Sequence, residues 1–311
     1  MSHSEVESSS ALTLVALAAG VGSRYRGLKQ LEPVGPGGEA LLEYSVYDAL
    51  RAGFSHVVLV VQPETESVFR ERFESGMDRR VSISYVHQTL DDVPDGFILP
   101  PDRCKPWGTG QAVLAAEAEI DGRFAVVNGD DFYGAASFSA LANFLNDPEP
   151  RDMTTLAMVG FEAGPTLSDT GPVSRALCRL NGDGKLEEII EILEMWRRNG
   201  GGFYLDAEGH EKEVGSGELV SMNIWGFVPE VFAELRDRFR EFLATKGQRS
   251  DAEFLVPEVI QSLVSGGRMQ VEVLPHTGQC YGITYPEDRQ RVAKLIAAMT
   301  SRGEYPIGLW K

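Results

Sequence analysis

The sequence is poor in cysteine and has no long apolar run, and each absence narrows what the protein can be. Its 311 residues include three cysteines, Cys104, Cys178 and Cys280, with no Cys-x-x-Cys pair. This spacing suggests neither a metal knuckle nor a disulfide framework, so a reducing compartment is expected. No segment reaches the about 18 consecutive apolar residues of a membrane helix, so no membrane partner is expected.

The N-terminus resembles a signal peptide only in part. Residues 11–19 are apolar, but the residues before them include Glu5 and Glu7 and no Lys or Arg. A secretory signal peptide begins with a positively charged region, which is missing here. We therefore expect a cytoplasmic protein whose residues 1–10 form a short, Ser-rich, disordered lead.

Positive charge is also scarce. The chain has 29 Lys and Arg against 46 Asp and Glu, a formal net charge of -17 at pH 7. A general nucleic-acid-binding protein needs a basic face, so nucleic acid is not an expected partner. A site for an anionic small molecule would have to concentrate its cations locally, which makes any cluster of Lys and Arg informative.

The first half alternates short apolar strands with helices. This alternation predicts parallel crossover units in a doubly wound, Rossmann-like sheet flanked by helices. In such sheets, ligands bind beyond the carboxyl ends of the strands. The predicted elements are strands at 13–18, 56–62, 81–86 and 124–127 and helices at 39–51, 68–73 and 110–120.

Beyond Pro148 strands dominate until helices return near the C-terminus. The glycine-rich segment 199–217 predicts a loop or hairpin. Because no linker separates the halves, we expect a single α/β domain over 11–311, with a nucleotide half at 11–150 and an acceptor half at 151–311. The predicted strands are 153–161, 173–180, 186–192 and 219–227, and the predicted helices are 230–242, 252–264 and 287–299.

The first candidate site is the segment from Ala18 to Gln30, A-A-G-V-G-S-R-Y-R-G-L-K-Q, which follows the first strand. Gly20 and Gly22 let the backbone turn sharply and present amide N–H groups, which suits a polyphosphate. Arg24 and Lys29 add positive charge to the same loop of an acidic protein. The pattern predicts a phosphate-binding loop, and a glycine turn with surface cations is the alternative.

Two common phosphate motifs do not fit this loop. A Walker loop requires Gly-Lys-Ser/Thr before its helix, and the segment has no Gly-Lys pair. A dinucleotide fingerprint requires a third glycine at position 25, where the chain has Tyr25.

The second candidate is the adjacent pair Asp130 and Asp131, which follows the fourth predicted strand. Neighbouring carboxylates at the end of a buried strand are costly unless they hold a cation. Magnesium takes one or two protein carboxylates together with phosphate oxygens, so the pair suits a metal–triphosphate site. An Asp-rich turn is the alternative.

The third candidate is the glycine-flanked segment Gly108-Thr109-Gly110-Gln111-Ala112 at the start of a predicted helix. Its glycines allow close approach of a ligand to the backbone. The amide of Gln111 could pair with the edge of a base. A simple helix start with Thr109 as the N-cap is the alternative.

In this order, the three segments resemble the sugar-1-phosphate nucleotidyltransferase family. That family has a Rossmann-like, mixed and mainly parallel sheet, the nucleotide-diphospho-sugar transferase fold, with G-x-G-[ST]-R…K, G-T-x-x-A and G-D motifs. The resemblance implies magnesium as cofactor, Asp130 and Asp131 as its ligands, and Arg24 and Lys29 as the catalytic cations. It implies nucleotide contacts from Ala18, Ala19, Gly20, Gly22, Ser23, Gly108, Thr109 and Gln111.

The resemblance is weaker in the acceptor half. It implies that Gly171, Glu191 and Asn223 contact the acceptor. The chain departs from the family pattern at two positions: Ile192 stands where a phosphate-binding Lys usually follows the Glu, and Thr284 stands where a second metal-binding Asp is expected.

The resemblance implies a reaction between a nucleoside triphosphate and a sugar 1-phosphate, and three hypotheses stay open. The first is a uridylyl- or thymidylyltransferase acting on a hexose 1-phosphate. The second is a cytidylyltransferase acting on a polyol phosphate or phosphocholine, which the short spacing from Arg24 to Lys29 favours. The third is a nucleotide-binding regulatory protein without catalysis, as Thr284 hints. A homo-oligomer is possible in each case.

Overall fold

The computed structural model describes residues 12–20, 27–74, 81–147, 153–275 and 280–311. The lead predicted at 1–10 lies outside these residues, as do Gly22, Ser23 and Arg24 of the predicted phosphate loop. No described helix is long and apolar enough to cross a membrane.

The described residues form thirteen strands and eight helices. The strands are β1 (Leu12–Leu17), β2 (Phe54–Val61), β3 (Ser82–His87), β4 (Phe124–Asn128), β5 (Asp131–Phe132), β6 (Thr155–Glu162), β7 (Val173–Leu180), β8 (Leu186–Arg198), β9 (Gly201–Leu205), β10 (Glu211–Val214), β11 (Leu219–Phe227), β12 (Gln270–Leu274) and β13 (Tyr281–Gly282). The helices are α1 (Leu41–Arg51), α2 (Glu66–Glu74), α3 (Thr109–Ala115), α4 (Ala135–Asn146), α5 (Ala163–Thr166), α6 (Val231–Lys246), α7 (Val256–Ser265) and α8 (Asp288–Ser301).

One mixed sheet runs through both halves of the described chain. Strands β4, β1, β2 and β3 are parallel neighbours. Strand β11 pairs antiparallel with β4, β6 and β7, and the sheet continues antiparallel through β8, β9 and β10. The predicted Rossmann-like fold with a mainly parallel core is confirmed, and the acceptor half adds an antiparallel extension.

The central strands are buried on both faces, because side chains alternate between two cores. In β1, Leu14 and Ala16 belong to one core, whereas Val15 and Leu17 belong to the other. Helices α1 and α4 contact each other, and α3 contacts both α6 and α7. Both layers are needed, since no central strand has a face that tolerates water.

Besides the short elements α5, β5 and β13, helix α4 and strand β12 were not predicted, although the patterns of the last two are visible in the sequence. Helix α4 carries Phe138, Leu141, Ala142 and Leu145 at helical spacing, and all four are buried. Strand β12 pairs parallel with β6 and contributes Val271 to the core.

Several predicted boundaries also differ from the structure. Strand β8 runs on to Arg198 and continues into the β9–β10 hairpin, so the segment expected as a loop or hairpin is a paired hairpin. The helix expected from residue 252 begins at Val256, with Pro257 in its first turn. Proline suits the first turn because its missing N–H has no intrahelical partner there.

A third core joins α1 to the C-terminal segment. Tyr44 packs edge-on against Phe132 and Tyr305. Tyr305 also donates a hydrogen bond to Asp48 Oδ2 at 2.7 Å. Asp48 is 1% exposed, and its burial raises its pKa to about 7, although Tyr305 and Arg51 favour the charged form.

This burial makes the folded state bind the Asp48 proton more tightly than the unfolded state, where the pKa is about 3.9. We therefore expect the Asp48 contribution to lower the free energy of unfolding as pH rises from about 4 to about 7. Asp48→Asn removes the ionisation and keeps an acceptor for Tyr305. Its stability relative to wild type should rise between pH 5 and pH 7 in urea unfolding; a difference that is constant with pH would contradict the prediction.

Candidate active site

A cavity of about 610 Å³ opens at the carboxyl ends of β1, β3 and β4. Residues from both halves of the chain line it. Those predicted from the sequence and found in its wall are Ala19, Gly20, Lys29, Gly108, Thr109, Asp130, Asp131, Glu191 and Asn223. The structure therefore brings the three N-terminal motifs and part of the acceptor half to one site.

The ends of β1 and β4 approach each other closely. The Gly129 N–H donates to Leu17 O at 2.9 Å, and a Cβ at Gly129 would lie 3.2 Å from that oxygen. A side chain at this position would crowd Leu17 O, Gln30 and Ala18, so glycine favours the close approach of the two strand ends. This approach brings Lys29 and Asp130 into an ion pair, with both side chains about one-fifth exposed to the cavity.

Asp131 also lines the cavity but is buried, with 7% of the residue exposed. Its Oδ2 accepts a hydrogen bond from Asn128 Nδ2 at 3.0 Å. Burial and the neighbouring Asp130 charge raise the pKa of Asp131, whereas the Arg175 charge opposes the rise. The two carboxylates differ in environment, and Asp130 is the one that faces the cavity beside Lys29.

Both ends of the Asn223 side-chain amide form hydrogen bonds to neighbouring residues. Its Nδ2 donates to Asn128 Oδ1 at 2.8 Å, and its Oδ1 accepts from Trp225 Nε1 at 2.8 Å. It has a φ of 59° at an irregularity in β11, a left-handed conformation that Asn tolerates better than most residues. Asn223 thus links the β11 bulge to Asn128 and, through it, to Asp131.

Two glutamines meet behind the part of the cavity wall that Gly108 and Thr109 form, and Gln88 is the one that lines the cavity. Gln88 Nε2 donates to Gly108 O at 3.0 Å and to Gln111 Oε1 at 2.8 Å. Gln111 is 1% exposed, and its own amide donates towards Thr89 O and Asp92. The structure therefore does not bring the predicted Gln111 side chain to the cavity. Gln88 follows β3 directly, so the strand-end rule could have identified it.

The segment before α3 is fastened to the segment before α7. Gly108 has a φ of 115°, and a Cβ there would collide with the backbone of Phe254. Phe254 N–H donates to Trp107 O at 2.5 Å, and Thr109 Oγ1 accepts from Val256 N–H at 3.0 Å. Thr109 therefore caps α7 rather than its own helix. Hydrogen bonds thus hold this part of the cavity wall to the segment before α7.

On the acceptor side, Glu191 lines the cavity and accepts a hydrogen bond from Ser174. Burial raises its pKa, and the Ser174 hydrogen bond and the Arg175 charge oppose the rise. The next residue, Ile192, is buried in the core, and Arg175 lies directly opposite it on β7. A cation is thus present on this side of the cavity, on the neighbouring strand, and the sequence reasoning missed it.

The remaining predicted residues have other positions. Ala18 is 2% exposed in the core behind the cavity. Gly171 packs against the ring of Tyr285, with no room for a Cβ. Thr284 lines the cavity, and its N–H donates to Asp288 at the start of α8. Asp288 therefore closes a turn, as expected for an acid in the first turn of a helix.

The donor set suits magnesium bound together with phosphate. Within the described ranges, no group of three or more His, Cys, Asp or Glu side chains could hold a metal ion alone. Asp130 presents a hard oxygen donor to the cavity, and Asp131 adjoins it. Two carboxylates without a closed cage match a cation that takes its remaining ligands from phosphate and water.

Comparison with known proteins agrees with this geometry. Residues 14–164 match the family described as nucleotidyl transferase. The chain is 30% identical over 184 residues to the bifunctional protein GlmU of Hyphomonas neptunium (strain ATCC 15444). That match covers 58% of this chain and 33% of the relative, so the chain spans about a third of the relative's length.

Solved structures share the fold over nearly the whole chain. The inositol-1-phosphate CTP transferase of T. maritima superposes with a TM-score of 0.59 and 15% identity, covering 93% of this chain and 96% of the other. A UDP-glucose pyrophosphorylase complexed with UDP-glucose superposes with a TM-score of 0.57 and 14% identity, covering 93% and 99%. At these identities the likeness establishes the fold alone.

The position of Asn223 yields a test of its structural role. Asn223→Gly keeps the left-handed backbone but removes two hydrogen bonds, so we expect the free energy of unfolding to fall by about 1–3 kcal/mol. Asn223→Val should lose about 1–2 kcal/mol more, because a β-branched residue is strained at positive φ. Urea unfolding of both variants measures the difference, and equal stability of the two would contradict the strain.

Proposed function

We propose that the chain, whose residues 14–164 match the nucleotidyl transferase family, joins a nucleoside triphosphate to a sugar 1-phosphate and releases pyrophosphate. The observation that carries the proposal is the order of groups along one cavity. Lys29 and Asp130 stand at the end of the parallel strands, Gln88 and Gly108 on one side, and Glu191 on the other.

This order matches the three parts of the proposed reactants. The charged end suits a triphosphate, the rigid glycine and amide wall suits a base, and the half-buried Glu191 suits sugar hydroxyls. A cavity of about 610 Å³ falls within the range of small-molecule sites, roughly 300–1,000 Å³.

In the proposed reaction, a phosphate oxygen of the acceptor attacks the α-phosphorus of the nucleotide. A new P–O bond forms, the bond between the α-phosphorus and the bridging oxygen breaks, and pyrophosphate leaves with the electron pair. Catalysis of this kind depends on positioning and charge neutralisation rather than on covalent chemistry by the protein. We assign Lys29, and Arg24 outside the described residues, to the triphosphate charge.

Asp130 and Asp131 are the residues that would hold magnesium. The cation would supply charge neutralisation on the phosphates. In the chain itself, Asn128 orients Asp131 and Lys29 faces Asp130. The pairing of Lys29 with Asp130 keeps both charges at the cavity before any ligand arrives.

Gln88 is proposed to read the base in place of Gln111. Gly108 O and Gln111 Oε1 are both acceptors facing Gln88 Nε2, which fixes the orientation of the Gln88 amide. Both of its N–H donors are therefore used, and its Oε1 accepts no hydrogen bond from the described residues. A base with an N–H on its pairing edge could supply the missing donor.

The second candidate function is cytidylyl transfer to a polyol phosphate. The segment Leu28-Lys29-Gln30 and the short spacing from Arg24 to Lys29 favour it. A nucleotide-binding protein without catalysis, suggested by Thr284, is the third. The three differ in which pair of substrates, if any, releases pyrophosphate.

A panel assay distinguishes these functions. Purified protein with magnesium is mixed with each of UTP, dTTP, CTP, ATP and GTP and with a hexose 1-phosphate, an inositol phosphate or phosphocholine. We expect pyrophosphate release with UTP or dTTP and the hexose 1-phosphate. Release confined to CTP and a polyol phosphate would support the second function. Nucleotide binding by thermal shift without release would support the third.

Lys29→Ala tests the charged end of the cavity. Loss of one preorganised charge typically costs about 2.7–4 kcal/mol of barrier, so we expect turnover to fall at least about a hundredfold. The control is Lys212→Ala, a surface residue paired with Asp206 on the β9–β10 hairpin. Both variants should keep the wild-type melting temperature, and Lys29→Ala turnover within a few-fold of wild type would refute the role.

Gln88→Ala tests the base side. Loss of one hydrogen bond to the base, worth about 1.4 kcal/mol, should raise the KM of the preferred nucleotide about tenfold and reduce discrimination between nucleotides. The KM of the sugar phosphate should not change. Gln62→Ala is the matched control, since Gln62 follows β2 at the same sheet edge and does not line the cavity. An unchanged preference among nucleotides would show that Gln88 does not read the base.

A further inference from the structure

Arg175 is a buried cation in the cavity wall. Arg175 is 9% exposed and lines the cavity from β7. The guanidinium donates to the backbone, through Nη1 to Ser174 O at 2.6 Å and through Nη2 to Thr166 O at 2.5 Å. These bonds fix its position, and neither of them goes to a carboxylate.

The other described cations of the wall are already paired. Lys29 pairs with Asp130, and Lys105 pairs with Glu253 at 2.8 Å. Among the described residues, Arg175 forms no ion pair with a carboxylate, and its Nε–H is buried without a hydrogen-bond partner. Because burying an unpaired charge is costly, such a group at a binding cavity indicates an anionic ligand.

The location of Arg175 indicates which part of a ligand it faces. On β7 it follows Ser174, whose hydroxyl donates to Glu191 on the acceptor side of the cavity. It adjoins Asp131 across Gly282, where a Cβ would collide with Asp131 Oδ1 and lie 3.9 Å from Arg175 Nη2. Arg175 therefore stands between the carboxylates proposed for the metal and the carboxylate proposed for the sugar.

Neither carboxylate occupies the guanidinium. Asp131 accepts its hydrogen bond from Asn128, and Glu191 accepts from Ser174. A guanidinium has five N–H donors in a planar fork that matches a phosphate, and two of those of Arg175 are used by carbonyls. A phosphomonoester in the cavity would supply both the missing charge and the missing acceptors.

We propose that Arg175 binds the phosphate group of the acceptor and so sets the position of its attacking oxygen. This inference rests on the proposed function, because it assigns one substrate group within the same cavity. Arg175 lies on β7 opposite Ile192, outside the three motifs found in the sequence.

The test is steady-state kinetics of Arg175→Gln, with the better substrate pair from the panel assay. We expect the KM for the sugar phosphate to rise about 30-fold, the KM for the nucleotide to stay within twofold, and inorganic phosphate to inhibit wild type competitively against the acceptor but to inhibit the variant much less. Arg179→Gln is the matched control, because Arg179 lies on the same strand, is exposed and pairs with Glu188.

A second variant keeps the test decisive if Arg175→Gln does not fold. Arg175→Lys keeps the charge without the planar fork, and its acceptor KM should rise about three- to tenfold. In either variant, a retained nucleotide-induced thermal shift verifies the folded site. A fall in kcat with unchanged acceptor KM, or an equal rise in both KM values, overturns the assignment. Absence of pyrophosphate release by wild type would instead refute the proposed function.

Discussion

The parallel pairing of β1 with β4 is the constraint on which the site depends. It aligns Leu17 with Asn128, so that the chain leaves both strands at the same edge of the sheet. Gly129 then permits the two exits to approach within hydrogen-bonding distance. As a result, Lys29, which follows β1, forms an ion pair with Asp130, which follows β4. About a hundred residues separate the two in the sequence.

Much of the remaining structure supports polar groups close to this edge. Asn223 uses both ends of its amide to join Trp225 and Asn128, and Asn128 in turn orients Asp131. A partly buried amide that forms a hydrogen bond at each end favours one arrangement of its neighbours. The left-handed backbone of Asn223 is the local cost of placing that amide. The network makes the carboxyl end of β4 rigid without using any ligand.

The acceptor side of the cavity follows a different logic. Its charges belong to an antiparallel layer added through β11, and they come from β7 and β8 rather than from glycine-rich loops. Ser174 holds Glu191, while Arg175 is held by backbone carbonyls. Because strands are stiff, the distance between these groups is fixed before an acceptor binds. Such preorganisation lowers the ordering cost that a substrate must overcome.

The sequence by itself determined the alternation of strands and helices, the Rossmann-like class and the places where Lys29, Asp130 and Gly108 stand along the chain. These depend on local period, glycine content and charge, which neighbouring residues reveal. It did not determine that Gln88 rather than Gln111 reaches the cavity, because the rotation of α3 about its axis turns Gln111 away from the cavity, whereas Gln88 stands at the end of β3 in its wall. Nor did it reveal Arg175, since only the pairing of β7 with β8 and β11 carries that side chain to the site. Tertiary structure decided these positions, because contacts between distant strands have no local signal in the chain.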